Sequence, residues 1–181
     1  VMPVHMYGGM CDMSSIKKIA RKYKLKIIED CAQCWFGKDS LGKISGTVGD
    51  IGSWSLENSK QLSSGDGGII ACKNKNLAKK IRKIAGLGFK TLTAASGKVR
   101  TDKNLLQNPD WTRFDTIGFN YRMNQLAASV ALAQLEKYKY YIKLRMKMAN
   151  EYSKVIEKSK LLKPQFKPNH YTYTYYTYIV L

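Results

Sequence analysis

The chain has 181 residues, of which 44% are hydrophobic, enough for one sizeable core or for most of one domain and the start of another. Its 31 basic residues against 13 acidic ones leave a net charge of +18, an excess that can attract nucleic acid or an anionic surface. The lysines nevertheless recur at helical spacing, as on a solvated face, no nucleic-acid recognition motif accompanies them, and no apolar run approaches the ~20 residues that cross a membrane, so neither partner is expected.

Val1 to Tyr7 reads as a short strand ended by Gly8-Gly9, after which Asp12 or Ser14 can cap a helix through about Tyr23. Leu25 to Ile28 resumes a strand, so the order strand, helix, strand predicts an α/β fold with Glu29-Asp30 at the carboxyl end of a buried strand. Ligands of α/β sheets bind at that edge. Gly37 to Gly49 is a Gly- and Ser-rich loop or short hairpin, and Asp50 to Leu56 is extended again. Gly65-Asp66-Gly67-Gly68 makes a turn into a buried strand at Ile69 to Cys72, followed by a basic helix over about Asn76 to Leu87.

Gly88 to Asp115 has little periodicity, and a loop of that length inside a compact domain is usually functional or disordered. One long helix is predicted from about Asn124 to Lys158, with Leu126, Val130, Ala133, Leu135, Tyr138, Ile142, Met146 and Val155 on its apolar face. Pro164 and Pro168 follow, and His170 to Leu181 alternates Tyr with Thr in the manner of a strand. The first and last segments are apolar and lack partners, which reads as a fragment of a longer chain. With no signal-peptide pattern at its start, the protein is expected in the cytoplasm with its four cysteines reduced.

Three constellations compete for chemistry. Gly37 to Ile44 nearly spells a triphosphate-binding loop, but Ile44 has no hydroxyl for magnesium and no helix start follows it. Cys31-Ala32-Gln33-Cys34 is a lone CxxC that leaves a strand for a loop and has no second ligand pair, so structural thiols and no metal are expected. The third is Asp30 at a strand end with Lys60 and a Gly-rich turn after it. A lysine that forms a Schiff base and a carboxylate that pairs a protonated pyridine nitrogen would suit pyridoxal phosphate, although spacing alone favours Lys60 as a surface lysine and Asp30 as a helix cap.

Five segments in order tip that balance. Pro3-Val4-His5-Met6-Tyr7-Gly8, Ile28-Glu29-Asp30-Cys31-Ala32-Gln33, Gly49-Asp50-Ile51-Gly52, Ser55-Leu56-Glu57-Asn58-Ser59-Lys60-Gln61-Leu62 with Gly65 to Gly68, and Gly118-Phe119-Asn120-Tyr121-Arg122-Met123-Asn124-Gln125-Leu126-Ala127-Ala128 resemble the DegT/DnrJ family of sugar-nucleotide aminotransferases. The resemblance implies the later part of the large domain of a type I (aspartate aminotransferase-like) fold over residues 1–123, a long connecting helix over 124–160 and the start of a small α+β domain over 161–181. It implies pyridoxal 5'-phosphate as cofactor, with glutamate and a nucleotide-linked keto sugar as substrates.

Residue by residue, it implies that Lys60 holds the cofactor as a Schiff base and that Asp30 pairs the pyridine nitrogen. Gln33 would sit beside the ring and its phenolic oxygen, Ser55 would bond the phosphate, and Asn120 would reach the phosphate of the neighbouring subunit in a homodimer. Cys31, Cys34 and Trp35 depart from the family pattern at the ring edge. A sugar dehydratase of the same family is the nearer alternative, and carries His where Lys60 stands; a non-catalytic basic binding protein of the same fold is the other.

Overall fold

A computed structural model describes residues 1–97 and 101–181. It divides into two compact units, residues 1–71 with 124–181, and residues 72–123.

The first unit is built on a small α/β sheet. Strands β1 (Ile28–Asp30), β2 (Ile51–Ser55) and β3 (Gly68–Cys72) lie side by side in that order, and β1 pairs with β2 in parallel with Ile28 opposite Ile51 and Asp30 opposite Ser53. The expected first strand is present only as a line of three backbone hydrogen bonds, Ile28 N–H to Val1, Asp30 N–H to Pro3 and His5 N–H to Asp30, with one bridge at Val4. Pro3 has no N–H to give, which keeps this edge short.

Between that line and β1, helix α1 (Met13–Lys22) begins at Asp12, whose carboxylate accepts the Ser15 N–H at 3.1 Å. It buries Met13 and Ala20 against Met10, Ile27 and Cys34, with Ile16 and Val48 packed on this cluster. Removing a side chain such as Met13 from water contributes about 1.5–3 kcal/mol. The helix ends at Tyr23, and Lys24 turns back in the left-handed region (φ 53°), so β1 starts three residues later than the apolar run at Leu25 suggests.

Three further expectations are corrected. β3 is not buried: it is the edge of the sheet, and Ile70 is 55% exposed. The single long helix is two, α4 (Gln125–Glu136) and α5 (Tyr138–Ile156), broken at Lys137 with φ −101° and ψ 7°. Tyr138 is stacked on Phe36 at 4.2 Å between ring centroids, a tertiary contact that helical periodicity does not encode. The Tyr/Thr tail forms no continuous strand, because His170 (φ 65°) and Tyr175 (φ 46°) interrupt the extended path.

The threonines of that tail act as anchors. Thr172 exchanges backbone bonds with Lys38, while the buried Thr174 gives its N–H to the Gly8 carbonyl. Gly8 sits at φ 90°, and a Cβ there would run into the backbone of Tyr175 and Tyr176, so only glycine permits the approach. Residues 163–165 and 179–181 pair antiparallel, as Lys163 and Leu181 exchange both N–H bonds.

The second unit carries helices α2 (Lys75–Ala85) and α3 (Lys103–Gln107). α2 is capped by the Asn74 side chain on the Leu77 N–H, and its Lys83 forms an ion pair with Asp115. Of the stretch of weak periodicity, part of which lies outside the described residues, Phe89 and Phe114 bridge and Leu92 is buried, and flanking it Gly86 pairs with Asn120.

Candidate functional site

Two carboxylates stand in succession on β1, and the pleat sends them to opposite faces. Glu29 is fully buried. Its Oε1 accepts the N–H groups of Val48 (2.8 Å) and Gly49 (2.5 Å), and its Oε2 accepts the Gly46 N–H (2.8 Å) and His5 Nε2 (2.9 Å). Burial alone would push its pKa up, but the His5 bond and the three backbone N–H groups outweigh it and hold the carboxyl below its ordinary value. Gly46, at φ 80°, makes this possible: a Cβ there would enter the Trp54 ring.

Burial disfavours a charged His5, while bonds with Cys11, Cys31 and Glu29 push its pKa upward. Geometry decides between them, since Nδ1 accepts the Cys11 N–H at 3.1 Å and so needs its lone pair. His5 is therefore the neutral Nε2–H form, donating to Glu29. His5, Glu29 and Cys31 present ligand-type atoms within 4.8 Å of one another. The four donors already fill the carboxylate, and burial pushes the Cys31 thiol up, away from the thiolate that binds metal. This cluster is a hub that fastens β1 to residues 46–49. Cys34 is likewise a buried thiol, pushed up to about 11 by desolvation.

Asp30 is arranged differently. It ends β1 at the carboxyl edge of the sheet and is half-buried, and its Oδ1 accepts the Ala32 N–H at 3.0 Å. Among the described residues Oδ2 has no donor. The backbone that follows is tied to the end of β2, as the Cys31 N–H reaches the Ser53 carbonyl and Trp35 Nε1 reaches that of Ser55 (2.9 Å). Ser55 Oγ accepts the Glu57 N–H at 3.2 Å, which leaves its own O–H to donate.

Lys60 lies in the turn after β2, closed by its N–H on the Glu57 carbonyl. Gln61 beside it is 3% exposed and clamps that turn to the Asp30 edge. Its Nε2 donates to the Gln33 carbonyl (3.2 Å) and to Thr174 Oγ1 (3.1 Å), and its Oε1 accepts the Trp35 N–H (3.5 Å). Gln33 itself accepts the Tyr7 N–H through Oε1 at 3.0 Å, so its NH2 group remains to donate. The Lys60 ammonium rests over the Tyr176 ring, 4.6 Å from its centroid.

Asp30, Gln33, Ser55 and Lys60 thus gather at one edge of the first unit. Asn120 belongs to the second unit, where it is exposed and its Oδ1 accepts from Arg122 Nε at 3.0 Å. The triphosphate-loop look-alike is a tight hairpin instead: Lys38 bridges Ile44, and Asp39 Oδ1 accepts the N–H groups of Leu41 and Lys43. A cleft of about 650 Å³ opens elsewhere, between Phe36, Lys38 and Ile44 and the α5 residues Tyr138, Ile142 and Met146, and includes none of the four edge residues.

Sequence reasoning missed Gln61, Thr174 and Tyr176. Gln61 adjoins the lysine, and that adjacency was its only signal. Thr174 and Tyr176 lie more than a hundred residues downstream and carried none.

The groups left open at the edge match a pyridoxal phosphate. A carboxylate oxygen on Asp30 can accept from a protonated pyridine nitrogen, amide and hydroxyl groups can donate to anionic oxygens, and an amine such as that of Lys60 can condense with an aldehyde.

Comparison with known proteins bears on the fold and the family. GDP-perosamine synthase of Caulobacter vibrioides is 36% identical over 152 residues, which cover 84% of this chain and 36% of that protein. The crystal structure of the aminotransferase TlmJ from Streptoalloteichus hindustanus superposes with a TM-score of 0.84 at 26% identity, over 99% of this chain and 45% of that one. An E. coli GDP-4-keto-6-deoxy-D-mannose-3-dehydratase solved with bound hydrated PLP shares the fold, with a TM-score of 0.82 at 18% identity over 98% of this chain and 45% of that one. Pyridoxal phosphate is the cofactor of this group of enzymes, and the chain spans less than half the length of each of these relatives. The sequence profile of the DegT/DnrJ/EryC1/StrS aminotransferase family matches residues 1–181, and the chain belongs to that family.

Proposed function

We propose that the complete protein is a pyridoxal-phosphate-dependent aminotransferase that passes an amino group from glutamate to a nucleotide-linked keto sugar. The observation that carries this is the set of unfilled groups at the β1–β2 edge: one carboxylate oxygen, one amide, one hydroxyl and one amine, fixed to a common frame by Gln61. The kinship with a GDP-perosamine synthase supports a sugar carried on a nucleotide, and the positive charge of the chain favours an anionic substrate.

When bound, the cofactor supplies an electron sink for the pair released as a substrate C–H bond breaks. Asp30 keeps the proton on the pyridine nitrogen, because a carboxylate against it stabilises the charged form. Gln33 donates to the ring's oxygen and Ser55 to the phosphate. Lys60 would hold the cofactor covalently and, when free, would carry a proton as acid and base. The exposed Asn120 amide would reach the cofactor phosphate of a partner subunit, which makes the working enzyme a homodimer in this reading. In this reading residues 1–123 are the later part of the large domain, 124–160 connect, and 161–181 begin the small domain.

Borohydride reduction of the complete protein with its cofactor tests the assignment. The cofactor should be fixed on the peptide containing Lys60, with peptides containing Lys38 and Lys43 unmodified. Fixation on another lysine, or none, would overturn it.

A further inference from the structure

Lys60 must leave the cofactor for part of each turnover if it acts as proposed above, and its ammonium then needs somewhere to sit. The structure shows that place. Its Nζ lies 4.6 Å from the centroid of the Tyr176 ring, within the ~6 Å over which a ring face attracts a cation, and no carboxylate among the described residues forms an ion pair with it.

The ring is itself held. Ser59 Oγ gives its single proton to Glu57 Oε2 at 2.5 Å, and the Ser59 N–H joins the same oxygen at 3.1 Å. The contact between Ser59 Oγ and Tyr176 Oη, at 3.0 Å, must then be donated by the phenol. The chain of donors runs from Tyr176 to Ser59 to an ionised Glu57, whose carboxyl the two Ser59 bonds hold below its ordinary value. Drawing the phenol proton toward a carboxylate enriches the ring in electrons, which strengthens its attraction for a cation. Thr174, two residues before Tyr176, is anchored to Gly8 and Gln61, so the backbone carrying the ring is fixed to the lysine turn.

We infer that Tyr176 is a positioning residue for Lys60: its face receives the free ammonium, and the Ser59–Glu57 relay fixes that face. The ring holds the cation without a direct ion pair; the nearby Glu57 carboxylate adds an attraction through space, so the lysine is steered yet remains free to depart. This inference rests on the proposed role of Lys60.

The test uses the complete protein freed of cofactor, with its lysines reductively methylated by 13C-formaldehyde and the Lys60 signal assigned by its loss in Lys60→Arg. Methyl groups over the ring should show an upfield ring-current shift. Tyr176→Leu should abolish the shift, while Tyr176→Phe and Ser59→Ala, which both keep a ring but break its bond to the relay, should each reduce it. In the holoenzyme the half-reaction with glutamate should slow about fivefold in Tyr176→Leu, and Tyr176→Phe should recover most of that loss. An unshifted Lys60 signal in the unmutated protein overturns the inference whatever the variants do, as does a shift equal in Tyr176→Leu. Borohydride fixation separates the two readings: cofactor on Lys60 with no ring-current shift defeats the role of Tyr176 alone, and no cofactor on Lys60 defeats both.

Discussion

Glu29 and Asp30 are consecutive carboxylates on one three-residue strand, and they meet opposite circumstances. Among the described residues, Glu29 is at 0% exposure with four donors on two oxygens, and Asp30 is half-buried with one donor on one oxygen. A saturated carboxylate can only hold structure together, because any ligand must first displace a hydrogen bond made inside the protein. An unsaturated one at a sheet edge is available to a ligand. The pleat that separates the two faces therefore separates a saturated carboxylate from an open one within a single step of the chain, and the proposed function puts the chemistry on the open one. Substitutions on the two sides should have effects that do not cross over.

The largest effect is expected on the edge. Lys60→Ala removes both the covalent link and the proton carrier, so transamination by the complete enzyme should fall by about 10²–10⁴-fold or more, with unfolding by urea unchanged. Full activity in that variant would remove the chemical half of the contrast. Asp30→Asn comes next. It keeps the oxygen that accepts the Ala32 N–H but removes the charge that keeps the pyridine nitrogen protonated, and should lower the half-reaction with glutamate by about 10²-fold, in the range for losing one preorganised electrostatic partner. Its thermal unfolding midpoint should stay within about 2 °C of the parent's. A loss of several kcal/mol would mean that Asp30 is a second structural hub.

Glu29→Gln tests the other side. Glutamine is the same size but carries an NH2 where Glu29 has an acceptor, and since each oxygen accepts two bonds, two of the four N–H groups then face another donor in a buried site. The cost should be about 3–5 kcal/mol of unfolding free energy for the cofactor-free protein. Its sign with pH follows from the depressed pKa of Glu29. The stabilisation is complete above the ordinary carboxyl value of 4.5 and is lost as pH falls below it toward the folded value. The parent should therefore lose stability on acidification more steeply than Glu29→Gln, with the two curves converging at low pH. Parallel curves would show that Glu29 is not held ionised by the fold.

Much of the first unit was legible because its signals are local. Asp12 before an amphipathic run announced α1, and the Gly-rich segments announced the turns on either side of β2. The placing of Asp30 at a strand end followed from the strand-helix-strand order. What was not legible depends on contacts distant in sequence. No pattern around Lys137 signals a helix break, since Tyr138 finds its partner Phe36 about a hundred residues away. The alternation from His170 onward predicts a strand, but Thr172 and Thr174 give their bonds to Lys38 and Gly8 instead, with Tyr175 in the left-handed region. At the site, Lys60 and Asp30 stood out as chemical types. Gln61, which fixes their relation, is an ordinary amide until its three partners are known.

The smallest effect is expected at the opposite end of the same strand pair, where a third carboxylate completes the series. Asp50 precedes β2, and its Oδ2 accepts the Ile27 N–H at 2.9 Å while Lys26 Nζ approaches Oδ1 at 3.3 Å. Its pKa is lowered chiefly by the Ile27 N–H; burial opposes that, and Lys26 adds to the lowering. The two partners differ in worth. Lys26 is 83% exposed, so water and salt screen the pair and the long side chain loses rotamer freedom in forming it. Lys26→Ala should cost less than about 0.5 kcal/mol and should not depend on salt beyond that. Asp50→Ala, which leaves the Ile27 N–H without its acceptor where Ile27 enters the core, should cost about 1 kcal/mol. Urea midpoints of both variants at low and high salt check the order. A larger loss in Lys26→Ala would reverse it and would show that the charge of an exposed carboxylate, rather than its bond to the backbone, secures this end of the sheet.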